Sequence, residues 1–293
     1  AERVSDREAP VFLYLHVMDV HGPYDAARRD FEAILRQMDR GLSRTLTEEE
    51  YTRIPEYLRE TEWAAEEERY RLRSWRAKYG AGIHAFDRRI GPFLEELRTS
   101  GLLDRAYFVL TSDHGEELME HGGWNHGNNL YDHQLHVPLL IRKPLAEDAG
   151  RRLASLVSLV DLMPTLSAVG GLAPPAGILG RDFSTLLRGG SDAEATAIFA
   201  GAVNENPRIQ GVRTLSHKLI WDEERGELEL YDMLSDPKEC RDLSEEDRPT
   251  VARMKTYLRE TLERNEARGA LAPEAIPMDD ELRDRLKALG YVH

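Results

Sequence analysis

The chain has 293 residues and one cysteine, enough length to bury a sizeable core without covalent staples. Basic residues number 39 against 53 acidic ones, a net charge of −14, which disfavours nucleic acid as a partner because phosphate contacts need clustered Lys and Arg. The hydrophobic share of 41% is ordinary for a globular protein, and no apolar run approaches the length of a membrane span.

Cys240 alone cannot form an intrachain disulfide, which says little about compartment. The opening AERVSDREAP lacks a charged-then-apolar leader pattern. It leads straight from polar residues into an apolar run, as the middle of a domain would. Val11-Phe12-Leu13-Tyr14-Leu15 reads as a first, buried strand. It ends at His16, and Gly22-Pro23 then enforces a turn, which puts His21 on the loop after the strand. From about residue 26 to 78 the composition is charged and helical, with a capping-box signature at Thr47-Glu48-Glu49-Glu50. Mixed Glu and Arg at helical spacing are read as solvated helices rather than as a partner-binding arm. Tyr79 to Leu97 continues as an amphipathic helix, with Ile83, Phe86, Ile90, Phe93, Leu94 and Leu97 predicted on its apolar face.

Tyr107-Phe108-Val109-Leu110 is the next predicted strand, in a parallel βαβ pattern, and Val137 to Ile141 another. Asp161-Leu162-Met163-Pro164 looks like an N-capped helix with proline in its first turn. Residues 170–190 are loop-rich and form a plausible boundary. Beyond it come four short strands, 197–203, 210–214, 218–221 and 227–231, with Glu223 to Gly226 as the hairpin turn between the last two. A helix is predicted over 250–267, then a Pro-bearing linker at 271–277 and a last helix near 282–289.

Five of the ten histidines crowd into Tyr107–Ile141: His114, His121, His126, His133 and His136. Imidazole carries protons near neutral pH and binds metals, so such crowding calls for a cause. Asp113 and His114 follow a strand directly, where ligands of open α/β sheets sit. A carboxylate beside an imidazole suits a divalent metal. The competing reading is that Asp113 caps a helix over 116–119. Two ligands cannot hold an ion by themselves, so further ligands must come from elsewhere. His126, set among Asn125, Gly127, Asn128 and Asn129, could stabilise negative charge or shuttle a proton; His21 is a second candidate for contacting an anion. His133 and His136 are read as structural, and His121 as either.

An ordered series of motifs carries a resemblance over nearly the whole chain. It runs from Phe12-Leu13-Tyr14 and His21-Gly22-Pro23-Tyr24 through Tyr79, Asp87 and Ile90-Gly91 to Thr111-Ser112-Asp113-His114-Gly115-Glu116. Glu120-His121-Gly122, Trp124, Tyr131, Val137-Pro138-Leu139 and Val160-Asp161-Leu162 follow. Pro164-Thr165-Leu166, Gly211-Val212-Arg213, Lys218-Leu219, Glu229-Leu230-Tyr231-Asp232 and Asp236-Pro237 close it. The chain resembles the C-terminal part of a sulfatase of the alkaline-phosphatase superfamily.

That resemblance implies an α/β fold. The expected architecture is an alkaline-phosphatase-like sandwich, present in part, whose mostly parallel sheet is flanked by helices, with a smaller C-terminal antiparallel sheet plus helices. Residues 1–190 would be the catalytic portion, with a helical insertion at about 26–78, and 191–293 a small subdomain. Asp113 and His114 would match the family's late metal-ligand pair, for which the metal is Ca²⁺, with Mn²⁺ or Zn²⁺ as alternatives given Asp-His. His21 would match the histidine touching the transferred sulfate, and His126 falls where many sulfatases carry a lysine. The family's early aspartates and its Cys or Ser in C/S-x-P-x-R, converted to a formylglycine nucleophile, have no match, so a missing N-terminal segment is expected. The implied activity of the complete enzyme is metal-dependent hydrolysis of a small sulfate ester, aryl, glycan or lipid, in the periplasm or outside the cell. This chain alone would be inactive. A phosphonate monoester hydrolase, phosphodiesterase or phosphoethanolamine transferase of the same superfamily is the alternative, and a non-catalytic binding module the alternative of another class.

Overall fold

The computed structural model describes residues 11–22, 24, 26–38, 65–175, 177–190, 198–201 and 209–267. The capping box at 47–50, the linker at 271–277 and the helix near 282–289 lie outside the described residues. The chain divides into two compact units, Ala1–Arg152 and Leu153–His293.

In the first unit, helix α1 (Arg28–Met38) packs along the long helix α2 (Ala65–Thr99). Small side chains make the approach close. Ala77, Ala81 and the fully buried Phe31 form the contact, with Ile34, Leu35 and Trp75 around them. A methyl group on Gly80 would already press on Ile34 at 3.1 Å. Buried Asp30 ties the pair polarly, meeting His84 Nδ1 at 3.0 Å and Arg88 at 3.1 Å. Of the predicted apolar face of α2, Phe86, Ile90, Phe93, Leu94 and Leu97 are half-buried and Ile83 is exposed, while alanines fill the seam with α1.

Strand β1 (Phe108–Thr111) leads to the hairpin of β2 (Glu117–Leu118) and β3 (Trp124–Asn125), then the single turn α3 (Asp132–Leu135) and strand β4 (Leu139–Arg142). β1 pairs with β4, and β2 with β3, both antiparallel. The parallel pairing expected here is thus corrected for the described strands. Between Thr111 and Leu139 the chain makes a hairpin and one helical turn, and lacks the long crossover that parallel neighbours need. A second correction concerns Val11 to Leu15. The segment forms no strand, and Phe12 and Tyr14 are 78% and 72% exposed. A short apolar run marks strand propensity, whereas pairing needs a neighbouring edge, and no strand among the described residues pairs with it.

In the second unit, helix α4 (Leu162–Val169) follows Asp161, whose buried carboxylate accepts from the Ser158 N–H at 2.9 Å and the Arg181 N–H at 2.7 Å. After the short helix α5 (Ser184–Leu187), strands β5 (Ile198–Gly201), β6 (Ile209–Arg213), β7 (His217–Asp222) and β8 (Glu227–Asp232) form an antiparallel meander in that order. The four expected strands and the hairpin turn at 223–226 all appear. Helix α6 (Arg248–Ala267) lays Val251, Met254 and Leu258 on Val212, Leu219 and Leu230. Off this core, Lys218 and Glu239 form a fully buried ion pair at 2.6 Å.

Candidate functional site

The local backbone from Ser112 to Gln134 folds around one carboxylate. Glu117 is 1% exposed and accepts from the Gly123 N–H at 2.8 Å, the His121 N–H at 3.2 Å and Asn129 Nδ2 at 2.5 Å. Burial alone would raise its pKa. The hydrogen bonds from Gly123 and Asn129, with His133 facing it, outweigh that and hold it below the ordinary carboxylate value. His133 Nε2 stands 3.4 Å from Glu117 Oε2, and burial holds this imidazole below its usual value. His121 stacks on Tyr131, ring centroids 3.8 Å apart, with His133 beyond. These contacts make His121 and His133 braces of the loop.

Glu117 and His133 both have depressed values, so their stabilisation is complete above the unfolded-state values and is lost as pH falls. For His133 the loss begins below 6.5 and for Glu117 below 4.5. Acid melts should therefore show a falling midpoint through that range. Glu117→Ala should remove the lower part of the fall and cost about 3 kcal/mol or more near neutral pH, because three donors lose a buried acceptor. A midpoint within a degree of the parent protein would contradict this.

Glycine is required where this loop meets α3. The Gly115 N–H donates to the Gln134 carbonyl at 2.7 Å, and a Cβ there would collide with the His133 carbonyl oxygen. Arg76 of α2 holds the hairpin from outside, donating to the Leu118 carbonyl and to Glu120, each at 2.9 Å.

On this frame the four residues singled out from the sequence come together. The rings of His114 and His126 stack with centroids 3.7 Å apart, and His21 meets His126 edge-on at 5.9 Å. Asp113 Oδ1 lies 3.8 Å from His114 Nε2. His114 Nδ1 is 2.7 Å from the Gly115 carbonyl, and His21 Nδ1 is 2.6 Å from the Gly22 carbonyl. A carbonyl only accepts, so Nδ1 carries the proton on both rings, and in the neutral ring it is Nε2 that offers a lone pair. Capping no longer explains Asp113, because residues 117–118 are strand rather than the start of a helix; its Oδ1 accepts from the His114 N–H at 3.1 Å.

The donor set suits a divalent ion: an exposed carboxylate and an imidazole lone pair, spaced as two ligands of one centre. Among the described residues no group of three or more His, Cys, Asp and Glu could hold a metal. Asp113 and His114 by themselves do not complete a metal site.

Two participants had no role assigned from sequence. Glu116 places Oε1 2.9 Å from His126 Nδ1 and takes the Tyr24 hydroxyl on Oε2. The hydrogen bond that His126 donates to Glu116, against the opposing effect of burial, raises the pKa of His126. Tyr24 is itself 1% exposed, at φ 53°, caged edge-to-face by Trp75 at 5.2 Å and Tyr79 at 5.7 Å. Burial, then Glu116, pushes its phenol pKa far up, so it stays a donor. Both residues stood inside quoted motifs. The available signal was the Glu116-Glu117 pair set among histidines, since carboxylates that become buried need partners and the nearby imidazoles supply them.

Comparison with known proteins gives this arrangement a context. A family model described as Sulfatase matches residues 2–172, and one described as N-sulphoglucosamine sulphohydrolase, C-terminal, matches 119–268. Arylsulfatase K of Xenopus laevis is 38% identical over 41% of this chain and 22% of its own length. An N-acetylglucosamine-6-O-sulfatase of Bacteroides thetaiotaomicron is 31% identical over 59% of this chain and 33% of its own. A protein solved in complex with its substrate D-glucosamine-2-N,6-O-disulfate is 25% identical, with a TM-score of 0.62 over 89% of this chain and 62% of its own. A phosphonate monoester hydrolase of Agrobacterium radiobacter shares the fold, with a TM-score of 0.57 at 23% identity over 72% of this chain and 45% of its own. The chain spans between about a fifth and a third of these curated relatives' length. The fold is alkaline-phosphatase-like, with the smaller antiparallel sheet as expected. On the match over residues 2–172, the chain belongs to the sulfatase family.

Proposed function

We propose that the full-length protein hydrolyses sulfate esters, and that this chain supplies part of the metal and sulfate site. The convergence of Asp113, His114, His126 and His21 from separate segments carries the reading. Asp113 and His114 would hold a divalent metal, Ca²⁺ first, which supplies Lewis-acid neutralisation of sulfate oxygens when bound. His126 would present its Nε2 side to the charge that develops on the ester as the bond to sulfur breaks, and His21 would orient the anion. A formylglycine nucleophile would come from outside this chain. On the same reading residues 1–190 are the catalytic portion and 191–293 the smaller subdomain.

The relatives named for N-acetylglucosamine 6-sulfate and glucosamine disulfate support a sugar sulfate as substrate. The Asp-His pair favours one second reading, phosphonate monoester hydrolysis. Assays of the full-length protein on an aryl sulfate, N-acetylglucosamine 6-sulfate and an aryl phosphonate separate them. Turnover should be highest on a sulfate, and turnover of the phosphonate alone would transfer the proposal to the second reading. His126→Ala should lower kcat/KM on the preferred ester about 10²-fold with the melting temperature kept. Unchanged kinetics would remove His126 from the site.

A further inference from the structure

Glu116 and Tyr24 form a brace that no sulfate-site role yet covers. We propose that Glu116, locked by Tyr24, is the positioning residue for His126. The inference rests on the hydrolase reading above. Glu116 is nearly buried, and its two oxygens are committed to different partners: Oε1 to His126 Nδ1 at 2.9 Å, Oε2 to the Tyr24 hydroxyl. A carboxylate held at only one oxygen can swing about its last side-chain bond. Held at both, it fixes the plane in which the imidazole lies. Because the carboxylate accepts, Nδ1 must carry a proton, and Nε2 is the nitrogen turned away from the brace.

The anchor itself is stiff. Tyr24 is held at φ 53°, a conformation costly for a residue with a Cβ, and it persists because Trp75 and Tyr79 of α2 enclose the ring. The long helix thus reaches the site through a phenol, a carboxylate and an imidazole. His126 is also stacked on His114, so rotation of one ring would disturb the other. A small error of placement at such a point costs far more in rate than in binding.

The test is a double-mutant cycle in the full-length enzyme, on the sulfate ester it turns over fastest. Glu116→Ala should lower kcat 10- to 50-fold, with KM changed less than 3-fold and metal content unchanged by elemental analysis. In a His126→Ala background the same substitution should cost less than 2-fold. Glu116→Gln, whose amide oxygen can still accept from Nδ1, should recover part of the loss. An equal fall in both backgrounds, or loss of metal, overturns the proposal. Should Glu116→Ala fail to fold, Tyr24→Phe decides the matter, since it keeps the ring in its cage and removes one hydroxyl. It should lower kcat 3- to 10-fold only when His126 is present, and an equal fall without His126 refutes the brace. An unsubstituted enzyme inactive on every sulfate ester but active on the aryl phosphonate would instead defeat the sulfatase reading, and the same cycle run on the phosphonate, with the same expected and overturning outcomes, then decides the brace.

Discussion

Asp113→Asn in the full-length protein is expected to lower bound divalent metal to a small fraction of the parent value and to reduce turnover about 10³-fold. The substitution is nearly isosteric. Its amide oxygen still accepts from the His114 N–H, as Asp113 Oδ1 does at 3.1 Å, so the loop geometry should survive. What disappears is the negative charge beside the His114 Nε2 lone pair. A metal's contribution to transition-state charge is worth several kcal/mol, and about 4 kcal/mol is three decades in rate. Elemental analysis and a chelator titration read the metal term separately from activity. Calcium should restore part of the loss at high concentration, because the affinity falls while the remaining ligands stay in place. Full metal occupancy with unimpaired turnover would show that Asp113 is a turn residue.

Gly115→Ala is expected to disable the same site by a different route. Its Cβ would fall on the His133 carbonyl oxygen, a backbone atom, where no flexible side chain can yield. Either the Gly115–Gln134 hydrogen bond breaks or the chain carrying Asp113 and His114 moves out. Relief of such overpacking costs roughly 1–3 kcal/mol of stability. The effect on catalysis should be larger, since a displacement of about 1 Å can cost about 10²-fold in rate. Melting temperature and kcat/KM measured together check this, and a variant that keeps both would mean the loop has slack absent from the structure. Gly123→Ala would press on the Glu117 carboxylate at 2.6 Å and should act in the same direction but less, because that contact ends on a side chain.

Much of this site was legible in the sequence because its signals are local. Asp113-His114-Gly115 ends an apolar run, and His126 sits among Gly and Asn, so chain geometry alone placed them on loops at one end of the strands. The C-terminal meander was legible for the same reason: short runs, turn residues, then a helix of matching face. What sequence reasoning missed depends on partners far along the chain. Tyr24 and Glu116 meet across 92 positions, and nothing near either residue announces the other. The seam of α2 with α1 was missed because apolar periodicity weights large residues, whereas that packing uses alanines that let two backbones approach. Val11 to Leu15 carries a strand's pattern without a strand's neighbours, and pattern cannot supply an edge.

Lys218 and Glu239 place a constraint on how this family can vary. Each is sealed from water, and each answers the other's charge at 2.6 Å. Removing either alone leaves a buried ion without its counter-charge, a loss of about 3–5 kcal/mol, while replacing both with apolar residues of similar volume can be neutral. The two positions are thus mutually entrenched. Descendant sequences should keep both or exchange both, and those bearing only one should be scarce.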